Sequence, residues 1–380
     1  MVVVKAPVNS ELLSWARVEH GLSVDQAARA LGVKPDRLES WEHGDAFPTL
    51  NQVRNLARLY QRTPASLLIR RTPSNDEHQR PTDFRSFTGE TPALSAGLAR
   101  EVARAKVRRR HLLEVQESEA HDLPFVPDLL RNAEDAAEQV RHHLGLTVET
   151  QKGFSGASEA LARWMRAVEN LGVLVFQMSR VSPEECRGFS IYEPVLPVIV
   201  LNGAEGFGAR QFTLLHELAH LISRTSAICD VWRGGSIEAG CNAFGAEVLM
   251  PRPAVMSLLK RGMDDPISNL ASEFSVSKSA SAVRLRTLGR ISQNQLDAFL
   301  LEARNAAIAQ REAAKSRERR GGPSPHLLKV RNLGPRFVGA VLDAMHDERI
   351  SVVEAAQFLE SKVQALDELE AEVERRGVAS

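Results

Sequence analysis

Two histidines four residues apart, with a glutamate directly after the first, constrain this chain more than any other stretch: His216-Glu217-Leu218-Ala219-His220. Residues at that spacing share one face of a helix, so a helical segment brings both imidazoles to one point. Held that way they reach a common metal ion, with Glu217 beside them and within reach of a water on that ion. A bound zinc lowers the pKa of such a water to about 7, and the carboxylate takes its proton as general base. The bland alternative is a charged helix face with two incidental histidines, and the flanking residues decide between the two. Phe212, Leu215, Leu218, Ala219 and Ile222 fall at helical spacing across Ala209 to Ile222. Upstream, Pro197-Val198-Ile199-Val200-Leu201-Asn202 is a β-branched run that ends on the turn residues Asn202 and Gly203, which predicts a strand.

Peptidases of the zincin class lay their substrate along an edge strand beside such a helix, and the order strand, turn, helix fits that use. Two histidines leave the metal short of a third protein ligand. Ser236 to Phe244 opens a second helix on which Glu238 and Asn242 share a face one turn apart. Glu238 would ligate, and Asn242 would hydrogen-bond a ligand histidine from behind. Cys229 and Cys241 are the rival ligands. A His, His, Glu set with an open fourth position is an established catalytic zinc arrangement, whereas a thiolate more often closes a structural site. The expected cofactor is therefore one Zn2+ per chain, on His216, His220 and Glu238.

The run Phe212-Thr213-Leu214-Leu215-His216-Glu217-Leu218-Ala219-His220-Leu221, followed by Ile237-Glu238, Cys241-Asn242-Ala243-Phe244 and Leu249-Met250-Pro251, resembles the ImmA/IrrE family of metallopeptidases. The resemblance extends over about residues 80 to 290. It implies a zinc-dependent endopeptidase that cuts a transcriptional repressor and so releases a stress, mobile-element or phage programme. It carries the third-ligand role onto Glu238 through that residue's spacing from Asn242. Gly245 stands where the family usually has Ala, at a packing position.

The first 70 residues carry a different pattern. Glu11 to His20 reads as a helix, Ser23 caps Val24 to Leu31, Gly32 turns the chain, and Pro35 to His43 forms the next helix. Further helices are expected at Leu50 to Tyr60 and Pro64 to Leu68. This spacing resembles the lambda-repressor-like (XRE) helix-turn-helix domains, in which the helix after the glycine turn enters the major groove. The expected base-reading residues are Lys34, Asp36, Arg37 and Ser40, with Gln26 near the backbone. Residues 1–71 hold ten Lys or Arg against seven Asp or Glu, a net +3. Acidic Asp36 and Glu39 on or beside the reading face would repel phosphates unless used to accept from a cytosine amine. The competing reading is a protein-docking or dimerisation module that keeps the fold without the DNA.

Across the 380 residues, 48 basic and 48 acidic side chains balance, so any binding to nucleic acid must be local, and no apolar run approaches the length of a membrane span. Met1-Val2-Val3-Val4 before Lys5 is too short for a signal peptide. Three cysteines form no disulfide framework and fit a reducing cytoplasm. The expected class is α+β and mainly helical: a five-helix helix-turn-helix domain at 1–71, a linker at 72–92 with Pro81-Thr82-Asp83-Phe84-Arg85 as its fixed point, and a zincin-like peptidase domain at 93–300. That domain has a small sheet beside the two zinc helices and a helix-turn-helix cadence at 266–290. A charged linker at 301–325 and a C-terminal helical module at 326–380 follow. Leu94 to Glu119 reads as a long, Arg-rich helix, and the adjacent His142 and His143 point to different faces, which makes them poor ligands. The expected partners are a repressor-type protein substrate, DNA and a second copy of the chain, with no membrane. The alternative class is a DNA-binding regulator or antitoxin-like protein whose peptidase domain is only a sensor or dimer platform.

Overall fold

The computed structural model describes residues 5–19, 22–60, 67, 95–116, 123, 132–224, 227–228, 236–262, 264–316 and 324–375. The chain divides into two compact units, Met1–Arg110 and His111–Ser380. Together they are mainly helical α+β.

The first unit begins with α1 (Ser10–Glu19), α2 (Val24–Leu31), α3 (Pro35–Glu42) and α4 (Leu50–Leu59). Ser23 Oγ accepts from the Gln26 N–H while Gln26 Oε1 accepts from the Ser23 N–H, which closes a capping box at the start of α2. Gly32, at φ +67°, ends that helix in the left-handed geometry that glycine adopts without penalty. Leu12, Leu13, Ala16, Ala27, Ala28, Leu38, Trp41, Val53 and Leu56 form the core. Arg17 of α1 grips the Glu42 carboxylate of α3 through two nitrogens, at 2.8 and 2.9 Å, and also donates to the Leu22 carbonyl. The paired fork fixes α1 against the recognition-type helix. The helix expected at Pro64 to Leu68 lies outside the described residues except for buried Leu67, and the linker at 72–92 lies outside them entirely. The long Arg-rich helix is α5 (Ala96–Val115), shorter at both ends than the sequence predicts.

The second unit continues with α6 (Ala133–His143), α7 (Val148–Lys152), α8 (Ala157–Asn170), β1 (Leu174–Met178), β2 (Gly188–Ile191), β3 (Val198–Asn202), α9 (Phe207–Ile222), β4 (Ala227–Ile228) and α10 (Ser236–Leu249). Then come α11 (Arg252–Leu259), α12 (Pro266–Glu273), α13 (Lys278–Thr287), α14 (Gln293–Ser316), α15 (Pro325–Leu333), α16 (Pro335–His346), α17 (Val352–Phe358) and α18 (Leu366–Arg375). The strands lie in the order β1-β3-β2-β4, with β3 parallel to β1 and antiparallel to β2.

This order corrects one expectation. The strand before the His-Glu-x-x-His helix is β3, and it is paired on both sides rather than lying at an edge. Val198-Ile199-Val200-Leu201 is a continuous apolar run, buried at every position, which is the pattern of an interior strand and not of one with a polar face. Among the described residues the edges are β1 and β4.

Helix α9 lies between this sheet and the helices α8 and α10, and buries Leu214, Leu215, Leu218 and Leu221. The end of α10 is held by buried side chains. Arg141 donates to the Val248 carbonyl, Gln151 to those of Leu249 and Phe274, and Arg284 to that of Met250. Pro251, which has no N–H, stops the helix there. Two buried guanidiniums and an amide thus satisfy carbonyls that a helix end leaves open, and the positive charges oppose its dipole.

The C-terminal helices α15 and α16 belong to the same unit; α15 packs on β1, and α16 reaches that strand through Phe337. Phe337 meets Phe176 edge-on at 5.6 Å. Gly334, at φ +79°, lies so close that an added Cβ would sit 2.5 Å from the Val175 carbonyl oxygen. Arg336 donates to the Glu169 carbonyl. Burial pushes the Glu169 carboxyl up to about 8, with Arg336 and Arg166 acting against it. The unfolded carboxyl ionises near 4.5 and the folded one holds its proton to about 8, so between those values the unfolded state binds fewer protons. Stability therefore falls as pH rises through that window. Glu169→Gln is expected to gain stability over the parent at pH 8 and not at pH 4. Urea melts at both values check this, and an equal gain at both would remove Glu169 as the source.

Candidate metal centre

Helices α9 and α10 pack side by side, and their facing turns bring three donors together. His216 Nε2 lies 3.2 Å from one Glu238 carboxylate oxygen, His220 Nε2 lies 3.3 Å from the other, and the two Nε2 atoms are 3.3 Å apart. A tetrahedral zinc site with bonds of about 2.0–2.1 Å has donor–donor edges of about 3.3–3.4 Å. The three separations match those edges, so the side chains present fit a zinc ion. Among the described residues this is the group of His, Cys, Asp and Glu side chains placed to share one metal. Asn242 Oδ1 lies 3.0 Å from His216 Nδ1. With the amide oxygen accepting, Nδ1 carries the proton and Nε2 turns its lone pair toward the other two donors.

The three groups are electrostatically coupled. Burial opposes the ionised form of Glu238, but hydrogen bonds and charge from His216 and His220 outweigh it and hold the carboxyl down to about 2. Burial likewise opposes protonation of His216, yet Glu238, Glu217 and Asn242 together raise its pKa. Burial and the charges of Glu238 and Glu217 push the Cys241 thiol up in the metal-free chain, and its sulfur is not among the donors placed to share a metal. A buried thiol is a poor competitor for the third position. Cys229 lies outside the described residues.

Glu217 is fully buried on α9. Beside it runs β2, where Gly188 lets the sheet approach the helix. A Cβ on Gly188 would fall 2.5 Å from Thr213 Cγ2, 3.0 Å from the Val200 carbonyl oxygen and 3.5 Å from Glu217 Oε1. Sequence reasoning missed this residue. A glycine inside a strand marks close approach of another element, but no strand is expected from the sequence at 188–191. Gly245 is different: a Cβ there would meet Phe212 and the His216 backbone at ordinary contact distances of 3.5 and 3.6 Å. Alanine fits that position, and glycine is not required by space.

A family model described as the IrrE N-terminal-like domain matches residues 168–286, and one described as a helix-turn-helix domain matches residues 10–68. The chain carries an IrrE-like peptidase domain behind a helix-turn-helix domain. The first match contains His216, Glu217, His220, Glu238 and Asn242, and runs from the end of α8 into α13. The radiation response metalloprotease IrrE of Deinococcus radiodurans is 34% identical over 79 residues, 18% of this chain and 24% of that protein. The chain thus matches about a quarter of that relative's length.

In the helix-turn-helix domain, Lys34 stands at the N-cap of α3, and Lys34, Asp36, Arg37 and Glu39 are exposed. The Arg37 guanidinium lies 5.9 Å from the centre of the Trp41 ring. Ser40 is half-buried and its hydroxyl donates to the Arg37 carbonyl. Gln26 is exposed but spends its side-chain oxygen on the capping box of α2. Away from both sites, His142 and His143 lie exposed at the end of α6 with their rings at right angles, and among the described residues they join no group placed to share a metal.

Proposed function

We propose that this chain is a zinc-dependent endopeptidase that cuts a regulatory protein, a transcriptional repressor, and that its N-terminal domain binds DNA. The observation that carries the reading is the convergence of His216, His220 and Glu238 at the edges of a zinc tetrahedron, with buried Glu217 next along the same helix. A zinc ion held there supplies Lewis acidity, polarising the scissile carbonyl and acidifying water. Glu217 takes the proton released by the attacking water and returns it to the departing amine. Asn242 fixes the His216 tautomer. Among the described residues the outer edge of β4 is the strand edge nearest in the sheet to β2 and Glu217, and an extended substrate can add there by backbone pairing.

The test is incubation of the zinc-loaded protein with stand-alone repressors encoded beside it. A single discrete cut that a chelator abolishes is expected. Intact repressors after prolonged incubation would leave the regulator without proteolytic activity as the better account.

A net +3 over residues 1–71 allows few phosphate contacts. The slope of log K against log salt should therefore be about −3 per domain, and Arg37→Ala should weaken binding by about 1–3 kcal/mol if Arg37 pairs bidentately with guanine. Selection from random duplexes measures this. An enriched motif that vanishes with Arg37→Ala supports DNA reading. No enrichment even at low salt would mean that exposed Asp36 and Glu39 have made the helix a protein-docking face.

A further inference from the structure

A cavity of about 690 Å³ is enclosed by α8, β1, the first turn of α9 and the C-terminal helices α15 and α18, and it shares no lining residue with the metal centre. Its charged lining holds four arginines, Arg166, Arg210, Arg331 and Arg375, beside Glu159, Glu169 and Glu372. Leu161, Met165, Phe207 and Leu327 supply an apolar wall.

Arg210 is the telling residue. It stands on α9 less than two turns before His216 and is only 3% exposed. Its Nη1 donates to neutral Gln177 Oε1 at 2.7 Å, and its guanidinium stacks on Phe207 at 4.8 Å. Its Nε is buried with no acceptor among the described residues, and no carboxylate there makes an ion pair with it. Glu205 acts on Arg210 only through space and is itself paired with Arg187. A guanidinium taken out of water without a counter-ion is costly, and such groups are normally paired. Here the lining adds like charge, because Arg331 is near enough to oppose the protonated form of Arg210. Two of the three lining carboxylates already have partners. Glu159 is tied to Ser155 and Arg163, and Glu372 is tied to Arg375 at 2.6 Å. The Glu169 carboxyl, raised by burial to about 8, keeps its proton at neutral pH.

We propose that this cavity binds a small organic anion, a carboxylate or phosphate on an apolar body, with Arg210 and Arg331 holding the charged end. Phe207 and Arg375 are exposed, so a ligand can enter from solvent without opening the core. The ligand would bridge the helix that carries His216 and the C-terminal helices. The site needs neither metal binding nor proteolysis, since none of its lining residues belongs to the metal centre.

Calorimetric titration of the full chain with phenyl phosphate and with benzoate tests it, with phenol as the neutral control. Saturable one-to-one binding of at least one anion is expected, and the tighter of the two identifies the head group. Arg210→Met and Arg331→Ala should each weaken it about tenfold or more, the usual effect of losing a charged hydrogen-bond donor. Without ligand, Arg210→Met should melt higher than the parent, because it removes an unpaired buried charge. If that variant fails to fold, half-buried Arg331→Ala decides the outcome. Absence of saturation with both anions, phenol binding as tightly as the anions, or parent-like affinity in Arg331→Ala would overturn the proposal.

Discussion

Glu217→Gln is expected to keep its zinc and lose cleavage by about a hundredfold or more, the range that removal of a general base typically costs. The amide has the size of the carboxylate and can still hydrogen-bond, so the fully buried pocket between α9 and Gly188 of β2 has no steric reason to rearrange. What it cannot do is accept a proton from water. Zinc content and melting temperature should therefore match those of the parent while the discrete cut fades. Both readouts are needed, since a fall in cleavage together with lost metal would implicate the site's assembly and not its base. Undiminished cleavage by Glu217→Gln would sink the mechanism.

Much of this arrangement is written locally in the sequence. Two histidines four apart meet on one helix face whatever surrounds them, and Glu238 four residues before Asn242 repeats the device on the next helix. Ser23, Gly32 and Pro35 punctuate α2 and α3 by backbone chemistry confined to a few residues, and the structure forms the boundary they predict. Features set by distant partners were not legible. The run Val198 to Leu201 announces a strand, but only its pairing with both β1 and β2 shows it to be interior. Gly188 reads as an ordinary glycine until Thr213, twenty-five residues later, is found against it. Gly334 reads as a linker glycine between two helices, yet its role is to let the chain touch the Val175 carbonyl. Arg141, Gln151 and Arg284 look like surface polar residues in sequence. They are buried because the carbonyls ending α10 need donors, and that need appears only when helices from three parts of the chain are brought together.

Glu238→Ala is expected to lose the metal, and this is the sharpest test of which atoms hold it. Wild type should carry about one zinc per chain on elemental analysis. Removing the carboxylate leaves two imidazoles and whatever water can supply. Affinity should then fall by well over the about tenfold to hundredfold that loss of an outer hydrogen-bond partner, such as Asn242, typically costs. The cysteine double variant, Cys229→Ser with Cys241→Ser, should keep its zinc. Cys241 is buried one turn along from Glu238, and its thiol is raised by burial and by two neighbouring carboxylates, so deprotonation to a ligand thiolate is disfavoured there. The Glu238 carboxylate, held down to about 2, is ionised throughout the working pH range and ready to ligate. Folding must be compared alongside, because Glu238 also bridges both histidines in the metal-free chain. Retention of zinc by Glu238→Ala with its loss from the serine variant would reverse the assignment, placing a thiolate where the geometry places the carboxylate.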